Sequence, residues 1–171
     1  MVLKGYRKNI IRPLSNRNME DLFCIARLDE DIAEVLPYLN TVMRGLQYTK
    51  EPPAVLFKVD GKIIVVRAQE IAINKVEDEA DAEDTLQWLK ERINETWRKR
   101  GEIEPRFEPT PRPAIIQILK LLGQTDCREC GEPSCVVFAV ELADGVKEPA
   151  DCPMLDEGRK ARVEEYLQQF E

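Results

Sequence analysis

The sequence contains no histidine. No metal can therefore be held through an imidazole nitrogen, which removes the commonest transition-metal ligand from consideration. No run approaches the roughly 18 apolar residues that a membrane-spanning helix requires. Internal repeats, low-complexity tracts and a phosphate-binding glycine loop are all missing, and no nucleophile sits beside a base. The opening stretch, MVLKGYRKNIIRPLSNRN, has no acidic residue and five basic ones (Lys4, Arg7, Lys8, Arg12 and Arg17). It lacks the continuous apolar core and small-residue cleavage site of a secretory signal. An organelle presequence shares its basic, acid-poor character, but a strand with a solvated basic edge is the simpler expectation.

What is present is a globular composition. The chain has 171 residues, 43% hydrophobic and 33% charged, enough for one medium domain or two small ones. Its five cysteines are an odd number, and four fall between positions 127 and 152. A secreted disulfide framework spreads an even set through a shorter chain, so reduced thiols in a cytoplasm are expected, where such a cluster signifies metal or catalysis. The net charge is −7. Residues 1–104 carry 17 basic and 19 acidic side chains, and residues 105–171 carry 8 and 13. The cysteine-bearing part is thus the acidic part, which argues against a nucleic-acid surface there.

The fold class predicted is α+β. The segment GEIEPRFEPTPRP holds Pro105, Pro109, Pro111 and Pro113 and reads as a semi-rigid linker over 105–113. Before it, residues 1–104 form a mixed domain with a small antiparallel sheet and two main helices. Two β-branched runs flank Asp60-Gly61, which predicts a tight hairpin. Glu70 to Val76 and Asp21 to Leu28 are further expected strands. A helix is expected from Asp29 to Gly45, with Pro37 as a potential kink. A second runs from about Glu79 to Arg100, with Ala82, Leu86, Leu89, Ile93 and Trp97 as its apolar stripe. Cys24 falls in phase with Leu22, Ala26 and Leu28 and reads as a core thiol. No chemistry is expected in this domain; its sequence assigns it no role, and partner docking is the candidate. After the linker, residues 114–171 form a small, mostly helical and loop domain ending in a helix.

The four clustered thiols, Cys127, Cys130, Cys135 and Cys152, follow C-x2-C-x4-C-x16-C-P. Three sit on one loop around Gly131, which permits a tight turn, and the fourth returns from a distance with Pro153 behind it. Four thiolates suit either tetrahedral zinc or an iron–sulfur cluster. Zinc ribbons usually pair two C-x2-C knuckles, and only one is present. A cubane needs ligands converging on a larger body, which three loop ligands and one distant ligand supply. Spacing leaves both cofactors open and leans toward the cluster.

The wording around the thiols goes further. Leu121 and Leu122 close a helix, Thr125 precedes C-x2-C-G-x3-C, Phe138 and Ala139 lie on the next helix, Gly145 follows, and Cys152-Pro153 completes the set. This pattern resembles the four-cysteine [4Fe-4S] domain of the corrinoid iron–sulfur protein large subunit and of related electron-transport and corrinoid-activating proteins. It covers residues 112–155. The resemblance implies one [4Fe-4S] cluster ligated by Cys127, Cys130, Cys135 and Cys152. It stops short of the cobalamin-holding domains, for which this length leaves no room, and the missing histidine excludes His-ligated cobalt and Rieske-type iron.

The function expected is that of a non-catalytic electron-transfer protein or subunit. It exchanges single electrons at low potential with a partner redox protein or corrinoid enzyme of anaerobic metabolism. The −5 balance around the thiols disfavours a further negative charge, and four cysteine-capped irons leave no open catalytic position. Asp126, Glu129 and Glu132 are candidates for tuning the potential or facing the partner. The alternatives are a zinc-stapled interaction module and a cluster-based redox sensor.

Overall fold

The computed structural model describes residues 1–12, 22–123 and 125–170. Arg17 and Asp21, expected in the basic segment and in a strand, and Gln124 of the cysteine loop lie outside them. The chain divides into two compact units, Met1–Thr110 and Pro111–Glu171.

The first unit is built on an antiparallel sheet of six strands: β1 (Tyr6–Ile11), β2 (Leu22–Leu28), β3 (Gln47–Lys50), β4 (Pro53–Val59), β5 (Lys62–Arg67) and β6 (Glu70–Val76), in the order β1-β2-β6-β5-β4-β3. Alternation sets the faces. Cys24, Ala26, Val55, Phe57, Ile64, Val66, Ile71 and Ile73 point into one core and are essentially fully buried. Two helices cover them, α1 (Leu36–Val42) and α2 (Glu79–Arg98). Asp60 and Gly61 connect β4 to β5 with φ of 48° and 78°, the positive dihedrals that a two-residue hairpin needs. The predicted α+β class and hairpin are therefore present.

Helix α2 starts where Asp78 accepts a hydrogen bond from the Asp81 amide at 2.8 Å. Ala82, Leu86, Leu89 and Ile93 are fully buried, each large side chain worth about 1.5–3 kcal/mol of transfer free energy. Trp97 packs at the edge of this core. The helix expected over 29–45 is shorter than its pattern. A 3₁₀ turn, Ala33–Val35, precedes α1, and Pro37 lies in the first turn of α1, where a missing N–H leaves no bond unmade. Proline starts this helix instead of kinking it. The basic edge expected near the N-terminus is only partly solvated: Lys8 turns inward to pair with Glu83, which also accepts from the Tyr6 hydroxyl.

The proline-rich stretch is fastened to the first unit as far as Thr110. Asn40 Nδ2 donates to the carbonyls of Arg106 and Glu108 at 2.8 Å, and Thr41 Oγ1 donates to that of Glu104 at 2.7 Å. The Thr110 amide donates to the Gly45 carbonyl at 2.9 Å. A Cβ on Gly45 would lie 2.8 Å from Val55 Cγ2, so only glycine fits there without displacing its neighbours.

The second unit has helices α3 (Ile115–Leu122), α4 (Cys135–Ala143) and α5 (Glu157–Gln168), with a 3₁₀ turn at Pro149–Asp151. Its core joins Ile118, Leu119 and Leu122 of α3 to Phe138, Ala139 and Leu142 of α4, with Leu155 and Val163. The buried face of α4 begins at Phe138, and Val136, two residues earlier in the sequence, is exposed.

Candidate metal centre

Three short devices bring the thiols together. Helix α3 ends at Gly123, whose φ of 85° suits a glycine cap and turns the chain into the cysteine loop. Within the loop Asp126, Arg128 and Gly131 all have positive φ, at 45°, 63° and 83°. Such a succession curls the backbone around Cys127 and Cys130. Ser134 then caps α4 by accepting from the Val137 amide, which places Cys135 in its first turn. At the far end of α4 the Val146 and Gly145 amides donate to the carbonyls of Glu141 and Leu142, a closed helix end around Gly145 (φ 71°). The chain doubles back from there, and the 3₁₀ turn delivers Cys152.

Cys127, Cys130, Cys135 and Cys152 are half-buried and unpaired, and all four line one cavity. Its volume of about 40 Å³ is several times the roughly 10–15 Å³ needed to seat one water. Among the described residues, no three Cys, Asp or Glu side chains converge tightly enough to ligate a single ion. The four cysteines share the lining of that one cavity. Leu122, Phe138 and Leu155 supply apolar wall, and no carboxylate lines it. Four thiols, with the Met154 thioether also in the wall, are soft donors that suit an inorganic cofactor of a soft-ligand metal.

Asp126 and Cys135 clasp the loop shut. Asp126 Oδ1 accepts from the Cys135 amide at 2.7 Å, while the Asp126 amide donates to Cys135 Sγ at 3.3 Å. The first bond satisfies one of the free N–H groups at the start of α4, and the second favours a negatively charged sulfur. The other two acids expected near the site do not line it. Glu132 pairs with Lys147 at 3.4 Å, and Glu129 is exposed. Sequence reasoning named Asp126 only as an acid near the site; its hydrogen bond to the Cys135 amide, nine residues away, leaves no local signal. It did not single out Arg128 or Arg159, which also line the cavity.

Cys24 is apart from this group. It is fully buried in the first unit, and burial pushes its thiol pKa up, so it stays a neutral core side chain.

The site thus defines a four-thiol inorganic-cofactor domain on a helical scaffold. Residues 122–154 match the family model described as "Putative Fe-S cluster", and the cofactor this segment points to is iron–sulfur. The same part of the chain is similar to the acetyl-CoA decarbonylase/synthase complex subunit gamma 1 of Methanosarcina thermophila, 44% identical over 45 residues. These cover 26% of this chain and 10% of that protein. The subunit gamma of Methanocaldococcus jannaschii is 40% identical over 43 residues, 25% of this chain and 9% of the relative. That of Methanopyrus kandleri is 32% identical over 54 residues, 32% and 12%. The chain thus spans about a tenth of the length of these relatives. No solved structure matches it. No helix among the described residues is long and apolar enough to cross a membrane.

Proposed function

We propose that the second unit holds one [4Fe-4S] cluster through Cys127, Cys130, Cys135 and Cys152 and serves single-electron transfer at low potential with a partner protein. The observation that carries this reading is the set of four thiols lining one cavity, with no carboxylate among the described residues of its wall. Against a lone tetrahedral zinc stands the single C-x2-C pair, where zinc ribbons usually use two. When bound, such a cluster stores and releases one electron without making or breaking a bond to protein. The chain's own residues hold and insulate it. Asp126 fixes Cys135 through both of its backbone-side contacts, and Phe138 and Leu155 keep water from one wall.

The acidic balance of residues 105–171 favours the less negative, oxidised state and hence a low potential. The relatives are named as subunits of a complex, and the motif resembles corrinoid iron–sulfur proteins. Both support a partner redox or corrinoid enzyme as the other party, with the first unit as the docking part. Anaerobic purification tests the reading. A brown protein absorbing near 400 nm, with iron and sulfide at about four per chain, is expected. A colourless protein containing zinc sinks it and leaves an interaction module. Cys152→Ala tests the distant ligand: an unchanged spectrum and stoichiometry exclude that residue.

A further inference from the structure

The wall of the cysteine cavity carries a charge opposite to that of its surroundings. Residues 105–171 are net acidic, yet the charged side chains lining the cavity are Arg128 and Arg159. Arg128 lies inside the segment that matches the iron–sulfur model. Arg159 lies beyond it, in the first turn of α5.

The place of Arg159 is built from three sides. Its amide donates to Asp156 Oδ1 at 2.9 Å, the cap that starts α5. Its Nη1 donates to the Leu122 carbonyl at 3.3 Å, at the end of α3. A Cβ on Gly123 would come within 2.5 Å of that same Nη1. The positive φ at 123 favours glycine, and the guanidinium lies across it. Among the described residues the ion-pair partner of Arg159 is Asp156 at 3.6 Å; with the two side chains 43% and 69% exposed, solvent weakens that pair.

We propose that Arg159 is a positioning residue for the redox site, whose fixed positive charge raises the reduction potential of the cofactor held by the four thiols. The proposal rests on the cluster reading above. A [4Fe-4S] centre with four thiolates carries about −2 oxidised and about −3 after accepting one electron from an external one-electron reductant; no bond changes and no proton is needed. A nearby cation stabilises the more negative state by Coulomb attraction. Arginine keeps its charge at every pH a protein survives, so the effect is constant where a lysine or histidine would titrate. The acidic unit and the basic wall then oppose each other, and Arg159 limits how low the potential falls.

The test is a dithionite titration of the intact, anaerobically purified chain, followed by the electron paramagnetic resonance of the reduced state, for wild type, Arg159→Gln and Arg159→Lys. Iron and sulfide are measured in the same samples. The glutamine variant is expected to keep its iron and to shift the midpoint negative, by an amount that shrinks with added salt. The lysine variant, which keeps the charge but loses the planar fork on the Leu122 carbonyl, is expected to stay near wild type. A glutamine variant with full iron and an unmoved midpoint at low salt overturns the proposal. So does a lysine variant that shifts as far as glutamine, because the shift then follows the clamp on α3 and not the charge. Should glutamine shed its iron, the lysine midpoint decides alone. Wild type purified without iron and sulfide is a separate outcome, which fails the cluster reading itself.

Discussion

The two units use cysteine and core in opposite ways. Among the described residues, the first buries Cys24 in a core of nineteen fully or nearly fully buried side chains, which joins strands β2, β4, β5 and β6 to both helices. The second buries eight, and leaves its four other thiols half-buried around a cavity at the edge of that core. At about 60 residues the second unit lies below the size at which an apolar core alone supplies more than about 3–5 kcal/mol. Small folds of that kind draw the missing stability from a metal or cluster, whose binding free energy becomes folding free energy. A unit held by burial thus stands beside one whose proposed cluster would supply the stability that its small core does not.

The largest expected effect breaks this comparison directly. Removing iron with a chelator under anaerobic conditions should collapse amide hydrogen-exchange protection across 115–168 while leaving that of 22–28 and 79–98 intact. Protection retained in both units would show that the second core suffices by itself. Next in size is a core truncation in the first unit. Leu86→Ala should cost about 2–5 kcal/mol in denaturant unfolding and leave iron content unchanged. Cys24→Ala should cost about 1 kcal/mol, again without loss of iron, whereas alanine at any of the other four cysteines should lower it. Iron lost on mutating Cys24 would erase the distinction between the two kinds of thiol.

How much of this was legible in sequence follows the same division. The Asp60-Gly61 hairpin, the α2 stripe and the burial of Cys24 were readable because each rests on local periodicity or turn chemistry. The length of α1 was misread because Pro37 can kink a helix or begin one, and only the preceding 3₁₀ turn decides. The proline-rich stretch reads as a semi-rigid linker, and nothing in its composition announces Asn40 or Thr41, more than sixty residues earlier, as hydrogen-bonding partners of its first part. At the metal centre, spacing and wording gave the four thiols, and the cavity brings them together. Their electrostatic surroundings were not legible. Net charge counts every acid equally, while the fold turns Glu129 to solvent and pairs Glu132 with Lys147. It brings in Arg159 from a helix that carries no cysteine.

A smaller effect probes how tightly the cysteine loop is fastened. Asp126→Ala removes the acceptor for the Cys135 amide and should cost about 0.5–2 kcal/mol, as loss of a helix cap does. Iron release to a chelator should quicken, while Asp126→Asn, which keeps an acceptor oxygen, should recover most of the wild-type rate. Equal release from the alanine variant and wild type would show that the thiols alone fix the loop.

The smallest effect is confined to the first unit and sharpens the claim that its stability is a matter of burial with a thin electrostatic margin. Hydrogen bonds from Lys8, and then from Gln87 and Tyr6, hold the Glu83 carboxyl down to about 2, from an ordinary value near 4.5. A depressed carboxyl contributes fully above its unfolded value and loses that contribution as pH falls through its folded one. The stabilisation is therefore present at pH 5 and above and drains away between about pH 4.5 and 2. Because the Glu83 side chain is 38% exposed, solvent screening keeps it modest. Comparing urea midpoints of wild type and Glu83→Gln for residues 1–110 in the full chain should show a gap at pH 6 that closes toward pH 2 and narrows in high salt. A gap independent of pH would mean that Glu83 acts through packing of its methylenes against Tyr6 and not through its charge.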